Sequence, residues 1–423
     1  MKTAMLKRAV LIFTAVLISV LTLCACQSAQ KDDVLTVVHA TDMHFLSPEL
    51  TDYGEGFIDI LTRADGKVTQ YSPQLCEAFA ADMLALHPDA VILSGDLTLN
   101  GAPASHNGLA AVLAPLHDAG ISVFVLPGNH DTGGTAYSFS GSGVERTEAL
   151  SDADFSSVYA DFGYNDATSR DPASQSYAAE ISPKLLLLLI DINSNDTAGK
   201  VRDETLAWAE QQLSSAKENG AAVIAVTHQP LLVHNRLFTF GYTAIGGEKL
   251  LSLFEEYGVS LNLCGHLHIQ HIAKEGDFVE IAGSSMAVAP NQYGVLTIKN
   301  GVPQSYRTAS VNVAEWALSS GETNPELLDF ASFSAGFFDL VTEKQVSAML
   351  EESTATAEEK ASMTAFAVRL NAEYFGGRRT LSADDPAWAL WQKYMPQSFF
   401  KIYMSTILEE PAADMCSYNF SDE

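Results

Sequence analysis

Five short polar clusters stand out in the 423-residue sequence: Asp42-Met43-His44, Gly95-Asp96, Gly128-Asn129-His130-Asp131, His228, and Gly265-His266-Leu267-His268. Carboxylate oxygen, amide oxygen and neutral imidazole are the ligand types that hard and borderline divalent ions take. Asp42 and His44, two apart, can chelate one ion from a turn, and the two oxygens of Asp96 can bridge a pair. Two ions ~3.5–4 Å apart clamp a phosphoryl group and lower the pKa of a shared water, so that hydroxide exists at neutral pH.

The elements that must position these residues are short apolar strands, each ending just before a cluster. Val34–Ala40 precedes Asp42, Ala90–Ser94 precedes Gly95, Ser122–Leu126 precedes Gly128, Val223–Val226 precedes His228, and Val259–Leu263 precedes Gly265. Helical stretches separate them: Pro73–His87, with apolar spacing at Leu75, Phe79, Met83 and Leu86, then Ala104–Ala119, Asp203–Asn219 and Glu248–Tyr257. Further strands are expected at Leu185–Ile190, Phe278–Ile281 and Gly294–Ile298. This alternation indicates an α/β fold. In open α/β sheets, sites form outside the carboxyl ends of strands, so the five clusters can converge on one crevice. Past about Arg307 the pattern changes to helical stretches rich in Ala, Glu, Leu and aromatics, with breaks at Gly376-Gly377 and Pro386.

Taken in order, D-x-H, G-D-x-x-x-x-G (Gly95 to Gly101), G-N-H-D, a lone His and G-H-x-H resemble the calcineurin-like metallophosphoesterase family over roughly residues 34–300. Thr41–Pro48 and Gly95–Thr98 look closest to the class III cyclic-nucleotide phosphodiesterase branch, and among it to lipoproteins of Gram-positive bacteria that also carry a helical C-terminal domain. The resemblance implies a two-sheet α/β sandwich with a helical C-terminal domain. It implies two divalent ions (Mn, Fe or Zn), one bound by Asp42, His44 and His268, the other by Asn129, His228 and His266, with Asp96 bridging. It further implies that a metal-bridging hydroxide attacks phosphorus in line, while His130 stabilises the transition state and protonates the leaving oxygen and Asp131 orients His130. The expected activity is hydrolysis of a small phosphodiester, a cyclic nucleotide being one such substrate. The alternatives are a phosphomonoesterase on the same centre, or a lipoprotein that binds metal or phosphate without turnover. His234 and Arg236, after the His228 strand, are candidate contacts to the substrate's leaving group. His39 and His87 fit structural roles, Cys264 fits a buried strand position, and Ser138–Ser142 is a flexible lid or a loop by composition.

The N-terminus sets the expected address. Lys2, Lys7 and Arg8 precede an uncharged run from Ala9 to Leu23, too short to span a bilayer but right for a secretory signal. Leu23-Cys24-Ala25-Cys26 resembles a bacterial lipobox with Cys26 as the lipidated residue, which would anchor the protein at the outer face of a membrane. The division expected is a signal peptide over 1–25, a tether over 26–33, a catalytic domain over 34–308 and a helical domain over 309–423. Losing residues 1–25 removes three basic residues and no acid, so the net charge moves from −28 to −31. That balance excludes nucleic-acid polymers and adhesion to anionic lipid headgroups, both of which need a basic face. A small phosphoester must then be met by a local positive centre. Cys76, Cys264 and Cys416 form no paired spacing and are read as buried or free thiols. The residues name no protein partner.

Overall fold

The computed structural model describes residues 33–63, 65–194 and 199–421, so the segment expected to be a signal peptide and Cys26, expected to be lipidated, lie outside the described residues. Strands β1 (Val34–Ala40), β2 (Ala90–Leu93) and β3 (Ser122–Val125) pair in parallel, joined by the helices Ser72–Leu86 and Pro103–Asp118. A hairpin, β4 (Ala136–Ser140) and β5 (Gly143–Thr147), turns at Gly141, whose φ is +57°. Ser138–Ser142, expected as a lid or loop, is therefore the tip of a paired ribbon. Alternation of polar and apolar residues over so short a stretch is too weak a strand signal to read alone.

Strands β6 (Ser169–Arg170), β7 (Tyr177–Ser182), β8 (Leu185–Ile190), β9 (Ala222–Thr227), β10 (Leu261–Cys264), β11 (His271–Glu275) and β12 (Phe278–Ala282) form a seven-stranded sheet in the order β11-β12-β10-β9-β8-β7-β6. Strands β13 (Gln292–Lys299), β14 (Val302–Ser310) and β15 (Ser417–Asn419) complete a six-stranded sheet in the order β15-β14-β13-β1-β2-β3. In β8, successive side chains point to opposite faces. Leu185, Leu187 and Leu189 enter the core shared with the first sheet, including Val37, Val91 and Ile298. Leu186, Leu188 and Ile190 meet Trp208, Leu213, Leu250 and Phe254 of the outer helices Asp203–Asn219 and Gly247–Tyr257. A strand covered on both faces reads as an uninterrupted apolar run, which is why this one was visible in the sequence. The result is the expected two-sheet α/β sandwich.

Leu75, Phe79 and Met83 are buried as the spacing required, whereas Leu86 is 40% exposed because the helix ends there. His87 caps that helix with φ +49°, and His39 Nε2 lies 2.8 Å from Ser94 Oγ inside the core, so both have structural roles. The helices Phe330–Leu350, Ala357–Phe375, Pro386–Tyr394 and Phe399–Glu409 gather a core of their own around Leu370 and Trp391, into which Ile269 inserts directly after His268. The change of pattern read near Arg307 falls inside β14, and the chain's last element is a strand that returns to pair with β14. Among the described residues no helix is long and apolar enough to cross a membrane.

Candidate metal centre

Each of the five clusters lies just past the carboxyl end of its strand: β1 delivers Asp42 and His44, β2 Asp96, β3 Asn129 and His130, β9 His228, and β10 His266 and His268. The turns are tight. Asp42, His44, Asp96, His266 and His268 all have positive φ, between 45° and 68°, a region that non-glycine residues enter at a cost of order 1–2 kcal/mol each. Backbone hydrogen bonds between clusters offset that cost: Asp42 N–H donates to Gly95 O (3.0 Å), His44 N–H to Asp96 O (3.0 Å) and Gly265 N–H to His228 O (2.9 Å). Two glycines leave room that no side chain could share. A Cβ on Gly128 would stand 2.2 Å from Asp96 Oδ1, and one on Gly265 would stand 2.0 Å from Thr41 Oγ1 and 2.5 Å from Asp42 Oδ2.

The ligand atoms converge. Candidate ligating atoms of Asp42, His44, Asp96 and His268 lie within 4.8 Å of one another, as do those of Asp96, His228 and His266. Asp96 belongs to both groups. Asn129 Oδ1 is 3.1 Å from His228 Nε2 and completes the second. In the first group, His44 Nε2 and His268 Nε2 face each other at 3.2 Å, and Asp42 Oδ1 is 3.2 Å from His268 Nε2.

Hydrogen bonds on the far side of each ring fix which nitrogen looks inward. His228 Nδ1 donates to Ser94 O (2.9 Å), His266 Nε2 donates to Gly241 O (3.0 Å), and His268 Nδ1 donates to Asp65. Lone pairs of His228 and His268 thus aim at carboxylates and at other lone pairs, while buried Asp42 Oδ1 has no hydrogen-bond partner. Such a set is unfavourable without positive charge in its middle. Protons can supply that charge: burial lowers His228, but Asp96 and Asp42 overcome it and raise the ring to about 9. Burial likewise lowers His268, and Asp65 and Asp42 raise it to about 9. His44 and His266, depressed by burial first, stay neutral, the latter pushed down to about 4. Divalent cations fit the same need, and the donor set of oxygen and imidazole nitrogen suits them.

Three expected roles are corrected. Asp131 does not orient His130. Its buried carboxylate accepts from Leu97 N–H (3.0 Å), Thr98 N–H (2.9 Å) and Gly128 N–H (2.8 Å), so it pins the Asp96 and Asn129 turns together. The imidazole of His130 is held instead by Leu99 O, 2.9 Å from Nδ1, leaving Nε2 3.8 Å from Asp96 Oδ2 with the side chain 43% exposed. His234 cannot meet a substrate: it is buried, with Nε2 3.2 Å from Glu280 Oε2 and Nδ1 3.0 Å from His271 Nδ1. Arg236 is committed to an ion pair with Glu409 on a C-terminal helix. Cys264 is a buried strand residue as read, although with His234 and Glu280 it makes a third cluster of ligand-type groups. Glu280 is already engaged by Leu231 N–H, Leu232 N–H and Asn262 Nδ2.

Asp65 was not foreseen. It lies 203 residues from His268 in sequence and also pairs with Lys67 Nζ at 3.1 Å, so the pair sits directly behind a candidate ligand. An Asp-Gly turn after the helix Glu55–Arg63 was the only local sign, and it announces a turn of any kind.

Residues 35–270 match the calcineurin-like phosphoesterase family, and residues 312–414 match the C-terminal domain of cyclic nucleotide phosphodiesterase. The glycerophosphodiester phosphodiesterase GpdQ of Enterobacter lignolyticus (strain SCF1) is 27% identical over 235 residues, 55% of this chain and 71% of the relative. Among solved structures, a dimetal phosphatase from Danio rerio is similar at 14% identity and TM-score 0.46, over 65% of this chain and 95% of that one. A purple acid phosphatase from yellow lupin (Lupinus luteus) seeds is similar at 14% identity and TM-score 0.43, over 66% and 52%. With the family matched across more than half its length and a phosphodiesterase among its relatives, the chain belongs to the calcineurin-like phosphoesterase family and is a metal-dependent phosphoester hydrolase.

Proposed function

We propose that this protein is a di-metal phosphodiesterase that hydrolyses a small phosphodiester outside the cytoplasm, held at the membrane by a lipid on Cys26. The observation that carries the catalytic reading is the sharing of Asp96 between two ligand groups. Asp42, His44, Asp96 and His268 would hold one divalent ion, and Asp96, Asn129, His228 and His266 the other, with Mn, Fe and Zn all suited to such ligands. When bound, the pair supplies a Lewis-acid clamp on the phosphoryl oxygens and a water of lowered pKa. The remaining work belongs to the chain. His130, fixed through Nδ1 by Leu99 O, presents Nε2 to the crevice and donates a proton from it to the departing ester oxygen. Asp131 keeps the Asp96 and Asn129 turns in register, so the ligands are in place before substrate arrives. Cyclic nucleotides and glycerophosphodiesters, which the names of the matched domain and relative bring into view, both belong to the substrate class.

The test is metal analysis of the purified protein with hydrolysis of a diester panel, including 3′,5′- and 2′,3′-cyclic nucleotides and glycerophosphodiesters, beside monoesters. Asp96→Ala should abolish metal binding and turnover together. His130→Ala should lose about 10²–10⁴ in kcat on unactivated alkyl diesters while keeping its metals. Metal binding with no phosphoester cleaved would favour the binding-protein alternative, and monoesters cleaved far better than diesters would favour the phosphomonoesterase. Cys26→Ser should move the protein from the membrane fraction to the soluble one, and a variant that stays with the membrane would rule out that anchor.

A further inference from the structure

The ligand cluster opens on two cavities that share no lining residue. The smaller, about 450 Å³, meets the cluster at Asn129 and His130 and is flanked by Tyr137 and Phe139 of the β4–β5 hairpin. The larger, about 600 Å³, meets it at His266 and His268 and runs on to the C-terminal helices.

Their walls differ. The smaller is lined near His130 by Asn100, Thr132, Gly133 and Thr135, with Ile60, Leu99, Tyr137 and Phe139 forming its apolar side. The larger is walled by Phe238, Tyr242, Phe375, Phe399, Phe400 and Tyr403. The Tyr242 ring lies 6.0 Å from that of His266 and 4.8 Å from Phe238, which is 5.6 Å from Tyr403. An aromatic surface is thus continuous from a candidate metal ligand to the helix Phe399–Glu409. Arg63, ion-paired with Asp59, and Lys67, ion-paired with Asp65, stand at the same cavity, as do Thr342, Gln345 and Asn371, with Asn371 Nδ2 donating to Thr342 Oγ1 (3.2 Å).

We propose that the substrate is an acyclic phosphodiester with one substituent in each cavity, the one in the larger cavity being a planar heteroaromatic group that stays on the phosphate. This deepens the phosphodiesterase reading above and rests on it. An alkyl chain would fill the larger volume without using the faces of its rings, whereas a planar heteroaromatic group stacks on them. A cyclic diester carries both ester oxygens on one substituent and would occupy one cavity alone. The direction of cleavage follows from His130, which lies in the smaller cavity, so the alcohol leaving there is the one it can protonate. Water adds to phosphorus, the P–O bond to that alcohol breaks, and R–O–PO₂⁻–O–R′ plus H₂O becomes R–O–PO₃H⁻ plus R′–OH. The proton that His130 gives up is replaced by the one released from water.

The experiment compares two substrates with the same leaving group, the p-nitrophenyl ester of thymidine 5′-monophosphate and methyl p-nitrophenyl phosphate, using the metal-loaded protein. The nucleoside ester should have kcat/KM about tenfold or more above the methyl ester, the usual scale for one stacked base, and should also exceed a 3′,5′-cyclic nucleotide. Tyr242→Ala and Phe399→Ala change rings that are 41% and 61% exposed, so the fold is not at stake, and each should bring the ratio toward one. A wild-type ratio near one, a ratio unchanged in both variants, or preference for the cyclic nucleotide would overturn the proposal. If neither p-nitrophenyl diester is cleaved, the phosphodiesterase reading itself fails and takes this inference with it.

Discussion

Replacing Asp65 by Ala should weaken one of the two metal positions and spare the other. Burial alone would raise the Asp65 carboxyl, but Lys67 and His268 reverse this and hold it well below the usual carboxylate range, so it is ionised throughout any practical assay. Two effects then follow from its removal. His268 loses the acceptor that fixes its tautomer and ring angle, a change that costs 10–100-fold in affinity at comparable metal sites, or about 1.4–2.7 kcal/mol. Lys67, only 14% exposed, loses its partner and leaves an uncompensated positive charge behind a site that must accept cations. Both push the same way, and a second substitution separates them. Asp65→Ala/Lys67→Met removes the stray charge but not the loss of orientation, so its affinity should fall between Asp65→Ala and wild type. The assay is a metal titration resolving two sites, followed by activity against metal concentration. The site built on Asp42, His44 and His268 should weaken, while the Asn129, His228 and His266 site should titrate as in wild type. Wild-type affinity at both sites in Asp65→Ala would refute a supporting role for Asp65, and a double variant no better than the single would refute the charge component.

Gly128→Ala should cost both activity and metal, because its Cβ would need the space 2.2 Å from Asp96 Oδ1 and 2.3 Å from Asp96 N. A shift of even ~1 Å in the bridging carboxylate is worth about 10² in rate, so a variant within fivefold of wild type would show that Asp96 can move without consequence. His106 makes a prediction about pH: its Nε2 donates to Asp131 O (2.8 Å), its Nδ1 lies 2.9 Å from Tyr159 OH, and burial depresses it from 6.5 to about 4. Below pH 6.5 the unfolded chain takes up a proton that the folded one refuses until about pH 4, so this contribution is complete above 6.5 and is lost as pH falls across that window. The loss is on the order of 3 kcal/mol. His106→Asn should therefore be the less stable protein at pH 7.5 yet lose less stability than wild type between pH 6.5 and 4.5, measured by denaturant unfolding at equal metal loading; parallel pH profiles would refute the assignment.

What the sequence disclosed and what it withheld differ in physical kind. A strand buried on both faces is a block of apolar residues, so β8 could be read directly from the letters, and because a ligand must be a particular residue type, the ordered motifs and the family they resemble pointed to the seven candidate ligands. A ribbon like β4–β5 and a three-residue edge like β15 carry no such constraint, since one face or one edge of each is wet. The roles expected of the ligands' neighbours fared worst. Asp131 follows His130 in the chain, but in so tight a turn consecutive side chains diverge, and its carboxylate goes down to backbone N–H groups while the imidazole goes out to the cavity. His234 looked available because it sits in a polar run past a strand end, but Glu280 and His271, from β12 and β11, close over it. The groups that aim the ligands are the least legible of all. His228 is fixed by the carbonyl of Ser94 and His266 by that of Gly241, and a carbonyl is present whatever the residue, so no letter marks it. Among the described histidine ligands only His268 is aimed by a side chain, while the carboxylate Asp42 accepts from Thr41 Oγ1 (2.8 Å). Substitution can therefore test the outer support of this centre at Asp65, whereas at Ser94 and Gly241 the support survives any exchange that keeps the backbone in place.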